Sequence, residues 1–112
     1  MESDTLIDIK DLQAIAADRS NIEVSAHTIL RLKERKIKLT DIYAGIDSGE
    51  IIEQYPDDKY YPSCLILYFR INGEPLHFVC SMGNNKIYII TVYDPDLEHW
   101  ENDFKTRKKV SQ

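Results

Sequence analysis

Apolar and polar residues recur with the period of helices in the first half of the chain, whereas the second half reads as strands. Between residues 8 and 19 the spacing predicts a first amphipathic helix. Its apolar positions are Ile9, Leu12, Ile15 and Ala16. Residues 22–24 predict a short strand or an extended lead-in to the next element.

A second helix is predicted to begin after Ser25, which is a typical N-cap residue, and to run to about Lys36. Its apolar stripe consists of Ala26, Ile29 and Leu30. Because apolar stripes of short helices are usually buried, we expect this one to contact the core.

A third helix and a strand complete the first half of the chain. Thr40 is the predicted N-cap of this helix, and Gly49 is expected to end it. Residues 50–55 then predict a strand, and the Pro-Asp-Asp sequence at 56–58 indicates a loop.

The second half predicts an antiparallel meander. Residues 64–71 are almost continuously apolar, as in a central strand, and Asn72-Gly73 is typical of a two-residue hairpin turn. Two further strands are predicted at residues 75–82 and 86–93, with turn residues at 83–85 between them. Helices followed by a meander predict an α+β domain, in which the helices pack on one face of an antiparallel sheet of about four strands.

A two-residue turn at Asn72-Gly73 would define the register of the first hairpin. It pairs Phe69 with Leu76, and it places His77 across from Tyr68 on the other face, diagonal to Arg70. In this register Cys64 and Cys80 lie on opposite faces, which argues against a disulfide between them.

The second turn has two interpretations that lead to different surfaces. A three-residue loop at Gly83–Asn85 pairs His77 with Thr91, on the same face as Tyr93. A two-residue loop at Asn84-Asn85 sends Thr91 and Tyr93 to the opposite face. We favour the three-residue loop.

Length and charge indicate one small domain with segregated charges. The chain has 112 residues, and 14 basic against 19 acidic side chains give a formal charge of -5. An acidic balance is unusual for a nucleic-acid binder, but cations predominate between residues 25 and 39 and again at 105–109. The acidic start and the lack of a long apolar run lead us to expect a cytoplasmic protein without membrane association, with two buried free thiols.

His27, Arg31 and Arg35 are four residues apart and therefore stack on one face of the second helix. Counting by the helical period puts this row roughly opposite the apolar stripe, so that it faces solvent, a ligand or a cleft. An imidazole beside two guanidiniums suits the binding or cleavage of an anion. A plain solvated face is the alternative interpretation.

Together with strand residues, this row provides the groups needed for metal-independent RNA cleavage. An imidazole accepts or donates the proton, and guanidiniums stabilise the pentacoordinate phosphate. The candidate catalytic residues are His27, His77 and Tyr93, and the candidate substrate-binding residues are Arg31, Arg35, Arg70 and Thr91. We expect no metal and no cofactor, because the three histidines lack ligand-like spacing and no glycine-rich phosphate loop is present.

Several short motifs resemble the bacterial family called domain of unknown function 4258, over roughly residues 24–101. They are His27, Arg31, Arg35 and Ile37 spaced as HxxxRxxxRxI, Gly49–Glu53 (GEIIE), Tyr55-Pro56, Pro62–Leu65 (PSCL), Leu76-His77, Ile90–Pro95 (ITVYDP) and Trp100. Members of that family resemble the small toxins of the RelE and ParE type, in which helices pack on a curved antiparallel sheet.

The resemblance implies a toxin of a type II toxin–antitoxin pair that acts as an mRNA endoribonuclease. It also implies a small zinc-finger antitoxin as partner and His27, Arg31, Arg35, His77, Thr91 and Tyr93 as site residues.

We interpret residues 1–112 as one domain, with a family-like core at 24–101, a helical extension at 1–22 and a charged tail at 102–112. The alternative function is a non-catalytic protein-binding module on the same fold, with Tyr68, Val79 and Tyr88 forming its groove.

Overall fold

The computed structural model describes residues 6–109, so Met1–Thr5 of the predicted extension and Val110–Gln112 of the predicted tail lie outside the described residues. The described part contains three α-helices and a five-stranded open sheet. The helices are α1 (Ile9–Ala16), α2 (Ala26–Glu34) and α3 (Leu39–Ser48), and the strands are β1 (Ile22–Val24), β2 (Glu50–Tyr55), β3 (Ser63–Phe69), β4 (Pro75–Gly83) and β5 (Lys86–Tyr93). No described helix has both the length and the apolar character that a membrane span requires.

The predicted α+β class is confirmed, whereas the prediction of an antiparallel sheet with about four strands is wrong, because the sheet has a fifth strand that pairs in parallel. The strand order is β1-β5-β4-β3-β2, and β1 pairs with β5 in parallel, with Ile22 opposite Ile87 and Val24 opposite Ile89. The chain leaves β1 for the helices and returns at the far edge of the sheet. A three-residue strand is too short for its sequence pattern to reveal such a pairing.

All three helices are stabilised at their amino ends by local polar contacts. Asp8 accepts a hydrogen bond from the amide of Lys10 at the start of α1, and Ser25 accepts one of 3.1 Å from the amide of Thr28 in α2. At α3 the Asp41 carboxylate accepts from the amide of Lys38, one turn upstream. α3 therefore begins after Lys38 and not after Thr40, the predicted N-cap, and it ends at Gly49, as predicted.

The predicted apolar stripe of α2 is wrong. Ile29 and Leu30 are exposed, and the buried residues of this helix are Thr28 and Leu32. The helix is short, and its roll about its axis is determined by Leu32 together with Ile37, which follows the helix into the core. Packing at the carboxyl end of α2 therefore overrides the apolar pattern at its amino end.

The helices cover one face of the sheet, and the main core lies between them and that face. The buried strand residues that join this core are Cys64, Ile66, Leu76, Phe78, Cys80, Ile87, Ile89 and Val92. α3 lies close to the sheet because Gly45 has no side chain where the ring of Phe78 approaches. A Cβ at this position would be 2.5 Å from a carbon of that ring.

The register of the first hairpin differs from the predicted one by one residue. The Arg70 amide donates to the Glu74 carbonyl at 2.9 Å, and the loop contains three residues, with Gly73 at a positive φ of 88°. Leu67 therefore lies opposite His77, and Phe78 lies opposite Ile66. A shift of one residue exchanges the two faces, so Phe78 points to the helices as expected for a core residue, but His77 shares its face with Leu67 instead of Tyr68.

The second hairpin has the two-residue loop, so the favoured three-residue loop is wrong. Asn84 and Asn85 both have positive φ, as a type I′ turn requires. An extra residue, Ile90, bulges out of β5 and restores the alternation beyond it. Tyr93 therefore lies opposite His77, and Thr91 lies opposite Val79. Thr91 and Tyr93 thus share the face of His77 as predicted, although the predicted pairing of His77 with Thr91 is wrong.

The two cysteines are buried and free, as expected, but the geometric reason was wrong. Cys64 and Cys80 are direct cross-strand partners on the helix-covered face. The contact with the Cys64 thiol and burial together raise the pKa of the Cys80 thiol well above its ordinary value.

After β5 the chain crosses the opposite face of the sheet as an irregular segment, residues 94–109, which we call the strap. Trp100 and Phe104 of the strap pack on His77 of β4 and Phe69 of β3, respectively. Lys105 and Arg107 then form ion pairs with Glu50 and Glu53 of β2. The sheet therefore lies between a helical layer and a strap.

Gly45→Ala is expected to lower the free energy of unfolding by about 1–3 kcal/mol, because the added methyl group collides with Phe78. In an open helix the same change would increase stability by about 1 kcal/mol. Urea denaturation measures the difference, with Ser48→Ala at the exposed end of α3 as control. An increase in stability for Gly45→Ala would contradict the close packing of α3.

Candidate functional site

The structure separates the seven predicted site residues into two groups. His27, Arg31 and Arg35 lie along α2, and Arg35 meets Arg70 at a cleft. His77 and Tyr93 lie beneath the strap on the other side of the sheet, and Thr91 is exposed on that face. The roles assigned to all seven stay predictions. An RNase that used the whole set would need His77 to converge with the row of α2, and the structure keeps the two apart.

The row of α2 runs from solvent towards the sheet. His27, Arg31 and Arg35 are all exposed, and Arg35, the C-cap residue, also donates a hydrogen bond from Nη1 to the carbonyl of Val92 in β5. Thr28 and Leu32 form the buried side of the helix. Residues four apart are slightly more than one turn apart, so the row winds gradually towards this side and comes nearest to it at Arg35. The row therefore flanks the buried side of the helix rather than lying opposite it.

Arg35 lines a cleft of about 770 Å³ between the start of α3 and the β3–β4 hairpin, which we call the basic cleft. Its cations are Arg35, Lys36, Lys38 and Arg70, and its acidic residues are Asp41, Glu74 and Asp94. Asp41 is engaged by the amide of Lys38, and Asp94 by Arg70. The remaining basic groups make this cleft suited to an anion.

Arg70 is largely buried and connects the hairpin to the strap. Its Nη2 donates to Asp94 Oδ1 at 2.5 Å and to the carbonyl of Pro75 at 3.1 Å, and Glu74 lies 3.7 Å away. The Nε atom is buried, and no described residue offers it a hydrogen-bond partner. An unsatisfied buried donor costs about 1–3 kcal/mol, so a ligand that displaced a neighbouring group and accepted from Nε would remove this cost.

His77 has 0% of its surface exposed, and both ring nitrogens are engaged. Nδ1 is 3.0 Å from the Tyr93 hydroxyl, and Nε2 is 2.7 Å from the carbonyl of Phe104 in the strap. The carbonyl only accepts, so Nε2 carries the proton, and neutral Nδ1 accepts from Tyr93. Trp100 packs edge-on against the imidazole at 4.6 Å between ring centres.

Burial lowers the pKa of His77 below its ordinary value, although the Phe104 carbonyl and Glu53 act in the opposite direction. Burial likewise raises the pKa of Tyr93. Both side chains are therefore neutral near pH 7. The pair is well placed for proton transfer, but no ligand can contact the imidazole while the strap is in place.

An ion pair fastens the strap beside this pair. Arg107 donates to both oxygens of Glu53, at 2.7 and 3.0 Å, and its guanidinium lies 4.6 Å from the Trp100 ring centre. Burial opposes ionisation of Glu53, but hydrogen bonds from Arg107 and Tyr55 outweigh it and keep its pKa below the ordinary value. Burial and the adjacent Glu53 raise the pKa of Tyr55 to about 12.

Sequence reasoning missed both the strap and the full set of cleft cations. Lys36 and Lys38 belong to the basic run that was noticed, but their place in the cleft depends on how α2 turns into α3. Glu53 and Tyr55 belong to the family motifs and Arg107 to the basic tail, but no local pattern indicated that they meet, because the contact between Glu53 and Arg107 spans 54 residues. Only the run of cations at 105–109 indicated that the tail had a role.

The strap carries a group of two carboxylates and one histidine that has the composition of a metal site. Ligand atoms of Asp96, Glu98 and His99 all lie within 4.8 Å of one another, and all three residues are exposed. Asp96 accepts hydrogen bonds from the amides of Glu98 and His99 and from the His99 ring. These bonds account for the group as a local turn, so we assign no metal to it.

The lowered pKa of His77 makes stability depend on pH in a defined direction. Below pH about 6.5 the unfolded chain binds a proton that the folded chain resists, so the free energy of unfolding falls as the pH is lowered. His77→Asn is expected to lower stability by about 1–3 kcal/mol and to remove most of this decrease. Urea denaturation at pH about 7.5 and about 5.5 tests this. His27→Asn, at an exposed position, is the control, and an unchanged decrease in His77→Asn would contradict the assignment.

Comparison with known proteins identifies the family of the chain. No curated protein and no solved structure matches it. One family model, described as Domain of unknown function (DUF4258), matches residues 24–94, which is more than half of the 112 residues. The match covers α2, α3 and all strands of the antiparallel part of the sheet, together with both groups of candidate residues. The chain therefore belongs to the DUF4258 family.

Proposed function

We propose that this protein binds single-stranded RNA along the α2 row and the basic cleft and cleaves it as a metal-independent endoribonuclease. As part of the same proposal, the protein is a toxin similar to those of the RelE and ParE type, and its partner is a zinc-finger antitoxin. The observation that carries it is the meeting of Arg35, Lys36, Lys38 and Arg70 in one cleft, continuous with the exposed His27 and Arg31. Such a track suits a flexible polyanion better than a small neutral substrate.

The dimensions of the row suit more than one phosphate. His27 and Arg35 are eight residues apart, which corresponds to about 12 Å along the helix axis. Arg31 lies between them on the same face and is exposed. A single strand that follows the row would enter the basic cleft at Arg35, where the number of cations is greatest.

The overall acidity of the chain is compatible with this surface. At physiological salt the Debye length is about 8 Å, so a bound phosphate responds mainly to the side chains beside it. The acidic residues of the cleft are partly engaged by its own donors. Binding should therefore depend strongly on salt, because it replaces counterions on the RNA.

Cleavage would proceed by attack of the 2′-oxygen on the adjacent phosphorus. The 2′-hydroxyl proton passes to a base, the P–O5′ bond breaks as the P–O2′ bond forms, and the leaving 5′-oxygen takes a proton from an acid. His27 is the exposed imidazole of the row and can serve in one of these roles. His77 and Tyr93 lie on the other side of the sheet from His27, so they form a separate acid–base pair that becomes accessible only after the strap has moved.

Arg31→Ala is expected to weaken binding of a single-stranded oligoribonucleotide about three- to tenfold and to reduce the salt slope by about 1. Lys33→Ala removes the same charge from the opposite side of α2, and a change of less than about twofold is expected there. Fluorescence anisotropy at several salt concentrations measures both. Equal losses in the two variants would show that net charge, and not the row, determines binding. Gel analysis of the same RNA tests cleavage.

A protein-binding module is the second candidate, because an apolar groove is open at the other end of the sheet. The groove has a volume of about 540 Å³, and Tyr61, Tyr88 and Ile90 line it beside Tyr60, which is 87% exposed. Tyr61 and Tyr88 stack with ring centres 5.8 Å apart. The predicted groove of Tyr68, Val79 and Tyr88 does not exist as such, because Tyr68 belongs to the helix-covered face.

Tyr60→Ser separates this candidate from the RNA proposal. If the groove binds a protein, the variant should lose at least tenfold in affinity for that partner, as exposed aromatic anchors often do. The partner is sought by co-purification, and the interaction is measured by calorimetry, with Lys10→Ala as control. The variant should bind RNA like the wild type, and a loss of RNA binding would contradict the separation of the two surfaces.

A further inference from the structure

The strap is held at both ends by ion pairs and in the middle by two aromatic residues. Asp94 at its start pairs with Arg70, and Lys105 and Arg107 near its end pair with β2. Between them, Trp100 and Phe104 cover His77. Ion pairs between partly exposed groups are individually weak, so the strap stays in place through the sum of these contacts, and it is released more easily when one of them is lost.

Arg70 stands at the boundary of two cavities. It lines the basic cleft, and it also lines a groove of about 370 Å³ on the strap side, together with Asp94, Leu97 and Phe104. Phe104 is the residue whose carbonyl accepts from His77. A continuous path of contacts therefore leads from the basic cleft through Arg70 and the strap to the buried imidazole.

The guanidinium of Arg70 is only partly satisfied by the strap. Nη2 donates to Asp94, whereas Nε, on the same edge of the guanidinium, finds no partner among the described residues. A phosphate has oxygens for both donors, and bidentate guanidinium–phosphate pairs are stronger than single contacts. A phosphate at this edge would take the place of the Asp94 carboxylate, and it would also repel that carboxylate.

We propose that Arg70 is a latch: a phosphate of RNA bound in the basic cleft takes Arg70 from Asp94 and thereby releases the strap from His77 and Tyr93. This inference rests on the proposed function for the identity of the ligand. It assigns the two groups of candidate residues to two stages, in which the cleft binds first and the imidazole is exposed afterwards. It also gives Asp94 the role of keeping the site closed in the free protein.

Trp100 reports directly on the strap. It is the one tryptophan of the sequence, and the residue is 3% exposed where it packs against His77. Release of the strap moves it into water, which shifts its emission to longer wavelength and makes it accessible to acrylamide. The full-length protein is titrated with a short oligouridylate, and binding is followed separately by anisotropy with a labelled strand. We expect the acrylamide quenching constant to at least double as the RNA saturates the protein.

Asp94→Ala is expected to expose Trp100 without RNA, because the latch is already open. The matched control is Asp47→Ala, which breaks an ion pair with Arg19 at 2.7 Å but does not contact the strap. Asp94 and Asp47 are similarly exposed, at 52% and 47% of their side chains. Circular dichroism verifies that both variants are folded, and Asp94→Asn is the milder replacement if the alanine variant is not.

The outcomes distinguish this inference from the function on which it rests. The latch is supported if binding of the oligouridylate exposes Trp100 in the wild type and if Asp47→Ala by itself does not expose Trp100. Binding while Trp100 stays protected overturns the latch and leaves the RNA proposal standing. Protection of Trp100 in a folded Asp94→Ala variant also overturns the latch. Absence of binding overturns both.

Discussion

The hydrogen bond from the Arg70 amide to the Glu74 carbonyl closes the central hairpin around three residues, and the two faces of the sheet follow from this closure. It makes Phe78 a partner of Ile66 beneath the helices and His77 a partner of Leu67 beneath the strap. One residue more or less in the loop would exchange these faces. The bulge at Ile90 then brings Tyr93 to His77 in the neighbouring strand. Two local irregularities of the backbone thus create the buried pair.

The face beneath the strap is unusually polar for a covered sheet. His77, Tyr93 and Glu53 would each be apolar in a face that only had to be buried, because polar burial is costly without partners. Here each has partners, and one of these is the carbonyl of Phe104 in the irregular strap. A cover that is held by polar contacts can be exchanged for water or ligand at lower cost than a packed helix. This property is what the proposed latch requires.

Segregation of charge and the roll of α2 act together at the other surface. Burial of Thr28 and Leu32 leaves Ile29 and Leu30 in solvent and turns the row of His27, Arg31 and Arg35 along the flank of the helix. As a consequence Arg35 reaches the carbonyl of Val92 and joins the cations of the cleft. Had the predicted stripe been buried, the row would have faced away from the sheet, and its connection to Arg70 would be absent.

The local pattern was sufficient to predict the class of fold, the positions of the helices, four of the strands and the row on α2. These depend on residues a few positions apart, where periodicity, caps and turn residues act directly. The family resemblance rests on equally local motifs. The free state of both thiols was also predicted, although their true register contradicts the reason given.

Only the tertiary structure decided the parallel pairing of β1, the register of both hairpins, the buried side of α2 and the path of the strap. Each depends on a comparison of alternative packings that differ by one residue or by one turn of a helix, and a local pattern cannot rank them. The contacts of Glu53 with Arg107 and of Arg70 with Asp94 join residues 54 and 24 positions apart. Sequence by itself therefore named the groups that carry charge and protons, and the assembled fold decided which of them meet, since burial and register are properties of the whole chain.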